Sequence, residues 1–170
     1  VLWAGHGSLP GRDGWISLHP ADAATLTIPP PEEAVAPGSL EHQLLATLEA
    51  GGGYFAAQLR QLTGAESEQA VIDALWHLTW SGRVTNDTFA PVRTLLGGGS
   101  QAHRTARRAP RARLYRGAAV RSVAASVPAR PSSVGGRWSL LPDAEPDASV
   151  RATAAASLLL DRYGVVTRGS

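Results

Sequence analysis

Apolar residues recur at helical spacing over the stretch from residue 39 to residue 82. Leucines three and four residues apart predict a first helix, and Ser39 has a side chain suited to capping its N-terminus. A second helix, "YFAAQLRQLTG", ends at Gly64, because glycine accepts the left-handed conformation that closes many helices. Ser67 caps a third helix, which ends at Gly82. The pattern therefore predicts three short helices in succession.

Strand formers lie on both sides of this helical block. Residues 1–19 predict a hairpin, because "PGRDG" supplies a turn in which Asp13-Gly14 tolerates positive φ. After the third helix, "RVTNDTFAPVRTLL" predicts a strand, a turn at Asn86-Asp87 and a return segment, which together would form a hairpin. Further on, "RWSLLP" (137–142) predicts a short strand, and "RATAAASLLLDRYG" predicts a helix that ends at Gly164. Three helices followed by a hairpin is the order of a winged helix-turn-helix.

Proline-rich and glycine-rich stretches divide the chain, and "IPPPEEAVAPG" in particular predicts a stiff linker. We expect a mainly α protein with small β wings (α+β), in which one complete winged helix-turn-helix is flanked by partial ones. The expected divisions are a wing hairpin and short helix that end a preceding winged helix (1–27), a proline-rich linker (28–38), a winged-helix domain (39–96), an Arg-rich irregular linker (97–136) and the start of the next winged helix (137–170). Because the chain opens on Val1 and has no Met, we expect a piece of a longer protein.

Charge is distributed unevenly along the chain. Residues 1–100 hold 4 Arg and 10 acidic residues (net −6), whereas residues 101–170 hold 12 Arg and 4 acidic residues (net +8). From residue 101 to residue 140 there are nine Arg and no acidic residue. This asymmetry is typical of a basic arm on an acidic body, and a basic arm gains affinity for DNA by releasing counterions, without reading sequence. The alternative is a solubilising linker.

Two groups of arginines are candidate nucleic-acid contacts. Arg83 and Arg93 belong to the predicted wing, which can lie along a phosphate backbone, although they are equally compatible with ordinary surface positions. The second group follows in the basic stretch and consists of Arg104, Arg107, Arg108, Arg111, Arg113 and Arg116. All sixteen basic residues are Arg and none is Lys, which suggests a GC-rich bacterial source.

The third predicted helix is a weak candidate for reading DNA sequence. Its polar face shows Gln69, Asp73 and His77, and it has no Arg to reach guanine. Trp76 and Trp80 are four residues apart and could form a base-stacking platform, but aromatic pairs at helical spacing are more often core. A structural helix that serves as a spacer or a protein contact is the competing interpretation.

Several kinds of catalytic or metal site are excluded or disfavoured by the sequence. Without Cys there is no disulfide, thiolate metal site or cysteine nucleophile, and without Lys there is no Walker A motif. The five histidines show no spacing typical of metal ligands. Asp87 could be a catalytic carboxylate, but an Asx turn is the more common role for an aspartate in such a segment. No apolar run reaches the length of a membrane span, so we expect a cytoplasmic protein without a membrane partner.

Three segments resemble a known family. They are "WAGHGSL…GRDGWISLHPADA" (3–23), "ALWHLTWSGRVTNDTFAPVR" (74–93) and "GGRWSLLP…LLLDRYGVVTRG" (135–169). In this order they resemble the C-terminal half of the long form of the bacterial large helicase-related (Lhr) proteins. The resemblance implies an ATP-dependent 3′-to-5′ DNA helicase of DNA repair as the parent, with ATP and Mg²⁺ bound outside this chain. It also implies a string of winged helices related to winged-helix DNA glycosylases.

We therefore expect a segment without catalytic residues, cofactor or metal, which helps the helicase to hold DNA and to assemble its C-terminal region. The expected partners are DNA, single-stranded or in RNA:DNA hybrids and bound without sequence specificity, and the rest of the helicase chain, with homo-oligomers as a further option. One alternative is a packing or oligomerisation module without DNA contact, built on Trp76, Trp80 and the predicted wing. The lesser alternative is part of a nucleobase-removing site that involves Asp87 or Arg83.

Overall fold

A computed structural model describes residues 1–10, 13–31, 34–96, 135–165 and 167. The elements, in chain order, are β1 (Leu2–Leu9), β2 (Asp13–His19), α1 (Ala24–Thr27), α2 (Leu40–Glu49), α3 (Ala56–Thr63), α4 (Glu68–Trp80), β3 (Val84–Asn86), α5 (Ala90–Leu95), β4 (Trp138–Leu140) and α6 (Ala148–Tyr163). The predicted fold class is confirmed: helices combine with small antiparallel sheets, consistent with a winged-helix α+β fold. Within the described ranges, no helix has the length and apolar character needed to cross a membrane.

The three predicted helices of the central block form at the positions that their capping residues indicate. The Ser39 hydroxyl accepts a hydrogen bond from the His42 amide (3.2 Å), and the Ser67 hydroxyl accepts one from the Ala70 amide (3.1 Å). Gly64 closes α3 with a φ of 68°. The helices α2, α3 and α4 pack against one another, and their apolar faces form most of the main core. Its fully buried leucines are Leu44, Leu48, Leu59, Leu75 and Leu78.

The predicted return strand after Asn86 is wrong. Residues 90–95 form the helix α5 instead, and Pro91 lies in its first turn, where a missing N–H and a fixed φ are tolerated. The strand that pairs with β3 is β4, in antiparallel register from Val84↔Leu140 to Asn86↔Trp138.

The predicted strand at 137–142 is confirmed, but its partner differs from the expectation that residue 137 begins another module. On its second edge, β4 also pairs with Tyr54: the Tyr54 amide donates to the Trp138 carbonyl (2.9 Å), and the Trp138 amide donates to the Tyr54 carbonyl (2.8 Å). Trp138 is fully buried in the core formed by α2, α3 and α4. Residues from both sides of the 97–134 stretch thus complete one small sheet and one core.

The N-terminal hairpin forms as predicted, and it packs against the core formed by α2, α3 and α4. β1 pairs with β2 from Leu2↔His19 to Leu9↔Asp13, with an irregularity between His6 and Ser8. Trp3 is buried, and its indole N–H donates to the Asn86 carbonyl (2.6 Å). In the opposite direction, the Thr85 hydroxyl donates to the Trp3 carbonyl (2.7 Å). These two bonds join β1 to β3 although the two strands belong to different sheets.

The short helix α1 and the long helix α6 lie outside this core. α1 is the short helix predicted within residues 1–27, and it has only 4 residues, because a turn closed by the Ala23 amide and the Pro20 carbonyl (3.1 Å) precedes it. α6 begins after Asp147, whose carboxylate caps the Ser149 amide (2.7 Å), and ends at Gly164 as predicted. It packs mainly on α1, and none of its residues is buried.

Candidate nucleic-acid interface

The polar face of α4 is exposed as the sequence predicts, and its side chains bond to one another. The Gln69 amide donates to the Asp73 carboxylate (3.0 Å), four residues further along the same face. His77 lies 3.3 Å from the carboxylate of Glu41 on α2. An acidic, internally paired surface of this kind repels phosphates and offers no arginine to a base edge.

The hairpin covers the C-terminal half of α4 at very short range. A Cβ atom on Gly5 would lie 2.6 Å from the Thr79 carbonyl oxygen, and one on Gly14 would lie 2.6 Å from the Trp80 ring. Glycine is therefore required at both positions, because any other residue would push the hairpin away from the helix. A recognition helix needs an open face to enter the major groove, and the hairpin covers the end of α4 that carries Thr79 and Trp80.

The two tryptophans of α4 lie between the core and the hairpin. Trp76 is 8% exposed, so the expectation that it is a core residue is confirmed. Its ring stacks on Trp80 with centroids 5.4 Å apart and meets Trp138 edge-on at 5.8 Å. Trp80 is half-buried and carries the close contact with Gly14. A groove of about 570 Å³ lies beside this pair, and its apolar lining consists of Leu9, Ile72, Trp76, Trp80 and Leu95.

The loop after β3 forms a tight clasp with the residues that precede β4. Asp87 accepts a hydrogen bond from the Arg137 amide through its carboxylate (2.7 Å), and its own amide donates to the Arg137 carbonyl (3.0 Å). The Asn86 side-chain amide donates to the Gly135 carbonyl (3.3 Å). Gly136 lies between them with a φ of 80°, leaving no room for a Cβ atom beside Asn86 and Asp87. We call these five residues, Asn86, Asp87, Gly135, Gly136 and Arg137, the wing clasp.

The clasp gives Asp87 a structural partner, and the expected Asx turn is formed by its neighbour. The Asn86 side-chain oxygen accepts from the amide of Thr88 (2.9 Å), which is the Asx-turn geometry. The Asp87 carboxylate instead bonds across to Arg137. The clasp also lies where two distant parts of the chain meet, because Asn86 at the end of β3 pairs with Trp138 at the start of β4.

Of the arginines proposed as nucleic-acid contacts, two lie within the part of the chain that the structure describes. Arg83 is half-buried before β3, where its carbonyl accepts from the Leu141 amide (2.9 Å). Arg93 is exposed on α5. The remaining candidates lie outside the described residues: Arg104, Arg107, Arg108, Arg111, Arg113 and Arg116. The structure adds Arg137, whose guanidinium lies 5.6 Å from the ring centroid of exposed Phe55, a cation–π pair that no local sequence signal predicts.

On the other face of the hairpin, a series of hydrogen bonds joins His6 and His19 through Ser17. The spacing of the two histidines in the sequence did not predict this contact. The Thr27 hydroxyl donates to the Ala23 carbonyl (3.0 Å), so it accepts from Nδ1 of His19 (2.8 Å). Neutral His19 then accepts at Nε2 from the Ser17 hydroxyl (2.6 Å), and Ser17 in turn accepts from Nε2 of His6.

Each member of this chain therefore donates in one direction, from His6 through Ser17 and His19 to Thr27. Burial of the imidazole, and after it repulsion from His6, hold the pKa of His19 below its ordinary value. The arrangement is consistent with a neutral His19 that ties the hairpin to α1.

Over all or nearly all of its length, the chain is similar in sequence to two curated proteins that are both named as Lhr helicases. It is 44% identical, over its full length, to a Mycolicibacterium smegmatis protein named "Lhr helicase/ probable uracil glycosylase". It is 34% identical, over 99% of its length, to an Escherichia coli protein named "Lhr helicase/uracil glycosylase". The chain spans about 11% of the length of each of these curated relatives. No family model matches it.

Proposed function

We propose, from the now confirmed relationship of this chain to the Lhr proteins, that it is a non-catalytic winged-helix segment of an ATP-dependent DNA helicase. Its role is to add non-specific DNA contact through arginines and to help the C-terminal region assemble. The helicase activity, with ATP and Mg²⁺, and the role in DNA repair belong in this proposal to the longer protein. The cytoplasm is the proposed location.

The observation that carries the proposal is the hairpin that covers the C-terminal end of α4. Gly5 and Gly14 hold the hairpin against Thr79 and Trp80, and Asp73 occupies the remaining polar face. Sequence reading through this helix is therefore disfavoured. DNA contact would have to come from elsewhere in the segment, where charge is positive.

The basic stretch is the best source of that contact. It connects two described segments that contribute strands to the same sheet, β3 before it and β4 after it. The basic stretch, residues 97–134, holds eight Arg and no acidic residue, a composition suited to counterion release from DNA. Arg93 on α5 and Arg137 in the clasp lie near its two ends in sequence and extend the positive charge onto the folded part.

Fluorescence anisotropy of a labelled single-stranded oligonucleotide across a salt series tests this. If about four phosphates are neutralised, log affinity for a single strand falls with log salt with a slope of roughly −3. Replacing Arg104, Arg107, Arg108, Arg111 and Arg113 together by Gln is expected to weaken binding by at least about tenfold and to flatten the slope.

The control variant replaces arginines of the folded part that lie away from the clasp, Arg60 on α3 and Arg162 on α6, and is expected to change binding little. Binding that is undetectable at low salt, or equal in the two variants, would reject the proposed role of the basic stretch. A hybrid RNA:DNA probe in the same assay shows whether the contact distinguishes nucleic acids.

The alternative of a packing module is favoured by one observation, the apolar surface of α6. Leu158, Leu160 and Tyr163 are 41–63% exposed, and no residue of this helix is buried. On this alternative the segment associates with protein rather than DNA, including a second copy of itself. A purified chain that sediments as a plain monomer at all concentrations counts against the self-association form.

The lesser alternative, a nucleobase-removing site at Asp87 or Arg83, is weakened by the clasp. One oxygen of the Asp87 carboxylate already accepts from the Arg137 amide, which gives this residue a structural role in the wing clasp. Unchanged base excision by a full-length Asp87→Asn protein that remains folded would reject it.

A further inference from the structure

The residues that face each other next to the bridge between Tyr54 and Trp138 are Phe55 and Arg137. Tyr54 and Trp138 exchange both backbone hydrogen bonds (2.9 and 2.8 Å). In antiparallel pairing, the residue after one member of a pair lies opposite the residue before the other member, so Phe55 lies opposite Arg137. Trp138 is fully buried, and successive side chains of a strand alternate between its two faces. Arg137 is accordingly exposed.

Phe55 and Arg137 form a cation–π pair at the surface. The guanidinium carbon lies 5.6 Å from the centroid of the phenyl ring. The ring is 44% exposed and belongs to neither core cluster of the described residues. A phenyl ring and a planar guanidinium both offer a flat face to a nucleobase, and the bases of single strands stack on side chains of both kinds.

Hydrogen bonds fix the backbone on both sides of this pair. The Phe55 amide donates to the side-chain oxygen of Gln58 (2.9 Å). The Arg137 amide donates to the Asp87 carboxylate (2.7 Å), and the Arg137 carbonyl accepts from the Asp87 amide (3.0 Å). A Cβ atom on Gly53 would lie 3.0 Å from the Cβ atom of Arg137, so the arginine side chain begins close to the Gly53 backbone. A surface held in this way loses little conformational freedom when a ligand binds.

The position of the pair favours a nucleic-acid ligand. Arg137 is the third residue after the basic stretch, which ends at residue 134. The helix α3 begins directly after Phe55 and carries one arginine and no acidic residue. The two tryptophans considered as a stacking platform from the sequence, Trp76 and Trp80, belong instead to a helix whose exposed face carries Asp73.

We propose that Phe55 and Arg137 form a base-stacking platform for single-stranded nucleic acid. One base lies against the flat surface of the pair, while arginines of the segment neutralise phosphates. The inference rests on the proposed function and deepens it, because it adds contact with a base to contact with phosphates. Every base has a flat face, so the platform does not read sequence, and it favours single strands over duplexes, whose bases are already stacked on one another.

Two probes separate stacking from phosphate contact in the anisotropy assay. One is the labelled single-stranded oligonucleotide, and the other has the same length and the same phosphates but lacks the bases. Phe55→Ala is expected to weaken binding of the first probe by about fivefold or more and to leave binding of the second unchanged. The slope against salt is expected to stay the same, because the number of neutralised phosphates does not change. An unchanged affinity for the first probe, or equal losses on both probes, would overturn the proposal.

Three further variants control for the ring, the planar cation and the location. Phe55→Tyr keeps an aromatic ring and is expected to keep the affinity. Arg137→Lys keeps the charge without the planar group, so it is expected to weaken binding of the base-bearing probe only. Tyr163 on α6 is the matched control, because it is 63% exposed and lies 5.1 Å from the guanidinium of Arg162. Tyr163→Ala is expected to change neither affinity, and a loss equal to that of Phe55→Ala would contradict a platform at Phe55.

The same assay distinguishes a failure of the platform from a failure of the basic stretch. The glutamine variant of the basic stretch is expected to weaken binding of both probes, since both carry phosphates. If it does so while Phe55→Ala and Arg137→Lys bind both probes normally, the platform alone is rejected. If only Phe55→Ala and Arg137→Lys weaken binding, and only of the base-bearing probe, the platform stands and the phosphate contact lies outside the basic stretch.

Discussion

Gly136 shows how much of the wing depends on a single residue without a side chain. Its φ is 80°, and a Cβ atom at this position would lie 2.6 Å from the carboxylate of Asp87. That carboxylate accepts a hydrogen bond from the amide of Arg137, the residue that follows Gly136. The positive φ and the lack of room for a Cβ atom are therefore two independent reasons why position 136 requires glycine. The sequence "GGRW" indicates only a loop before a strand, because the atoms that crowd Gly136 come from the far side of the basic stretch.

Replacing Gly136 by Ala is expected to lower the free energy of unfolding by about 2–4 kcal/mol, since backbone strain and crowding add. Gly64→Ala is the matched control, because Gly64 has a φ of 68° but no atom within 4 Å of the added Cβ. That control is expected to cost about 1–2 kcal/mol from strain alone. Urea denaturation of both variants measures the difference, and equal losses would mean that the clasp adds nothing.

His19 makes the hairpin sensitive to acid. Because burial and then His6 hold its pKa below the ordinary value, the folded state binds this proton less readily than the unfolded state does. The stabilising contribution is therefore present above the unfolded pKa of about 6.5 and is lost as pH falls toward the folded pKa.

The thermal midpoint is accordingly expected to fall between pH 7.5 and pH 5, and the fall is expected to be smaller in His19→Gln than in the natural chain. His42→Gln removes an exposed histidine from α2 and serves as the control, with the full dependence on pH retained. An identical pH profile for His19→Gln and the natural chain would show that His19 is not the group responsible.

At the scale of elements, local signals were sufficient for the three central helices and α6, but they were insufficient for α5 and for the sheet. Ser39, Ser67 and Gly64 bond or turn as their residue types predict, because capping involves atoms only a few residues apart. The pairing of β3 with β4 depends instead on contacts across the whole basic stretch. Nothing near Val84 in the sequence identifies Leu140 as its partner.

The same limit applies to the candidate interface. The polar face of α4 was predictable from helical spacing, since Gln69, Asp73 and His77 recur every four residues. Its closure by the hairpin was not, because the requirement for glycine at positions 5 and 14 comes from Thr79 and Trp80 in another element. Arg137 was missed for a related reason: its partners Phe55 and Asp87 are distant in sequence.

The described part of the molecule has a net negative charge, and the basic stretch connects two of its segments, one that ends at residue 96 and one that begins at residue 135. A single core contains Trp3 from the hairpin, the leucines of the three central helices and Trp138 from β4. Residues 39–96 alone would lack Trp138 and the strand that pairs with Val84–Asn86. Removing the basic stretch while retaining residues 135–165 is therefore expected to leave the core intact.

This expectation separates folding from nucleic-acid contact in one experiment. Residues 97–134 are replaced by a linker of about 12 Gly and Ser residues, whose root-mean-square span is roughly 20 Å. The shortened chain is expected to unfold cooperatively at nearly the denaturant midpoint of the natural chain but to lose most of its affinity for the oligonucleotide. A chain that ends at residue 96 is the comparison, and it is expected to be much less stable, because removal of a large buried aromatic residue alone costs about 3–5 kcal/mol. If the shortened chain binds DNA as well as the natural one, the contact lies on the folded part, and Arg83, Arg93 and Arg137 become the arginines to replace.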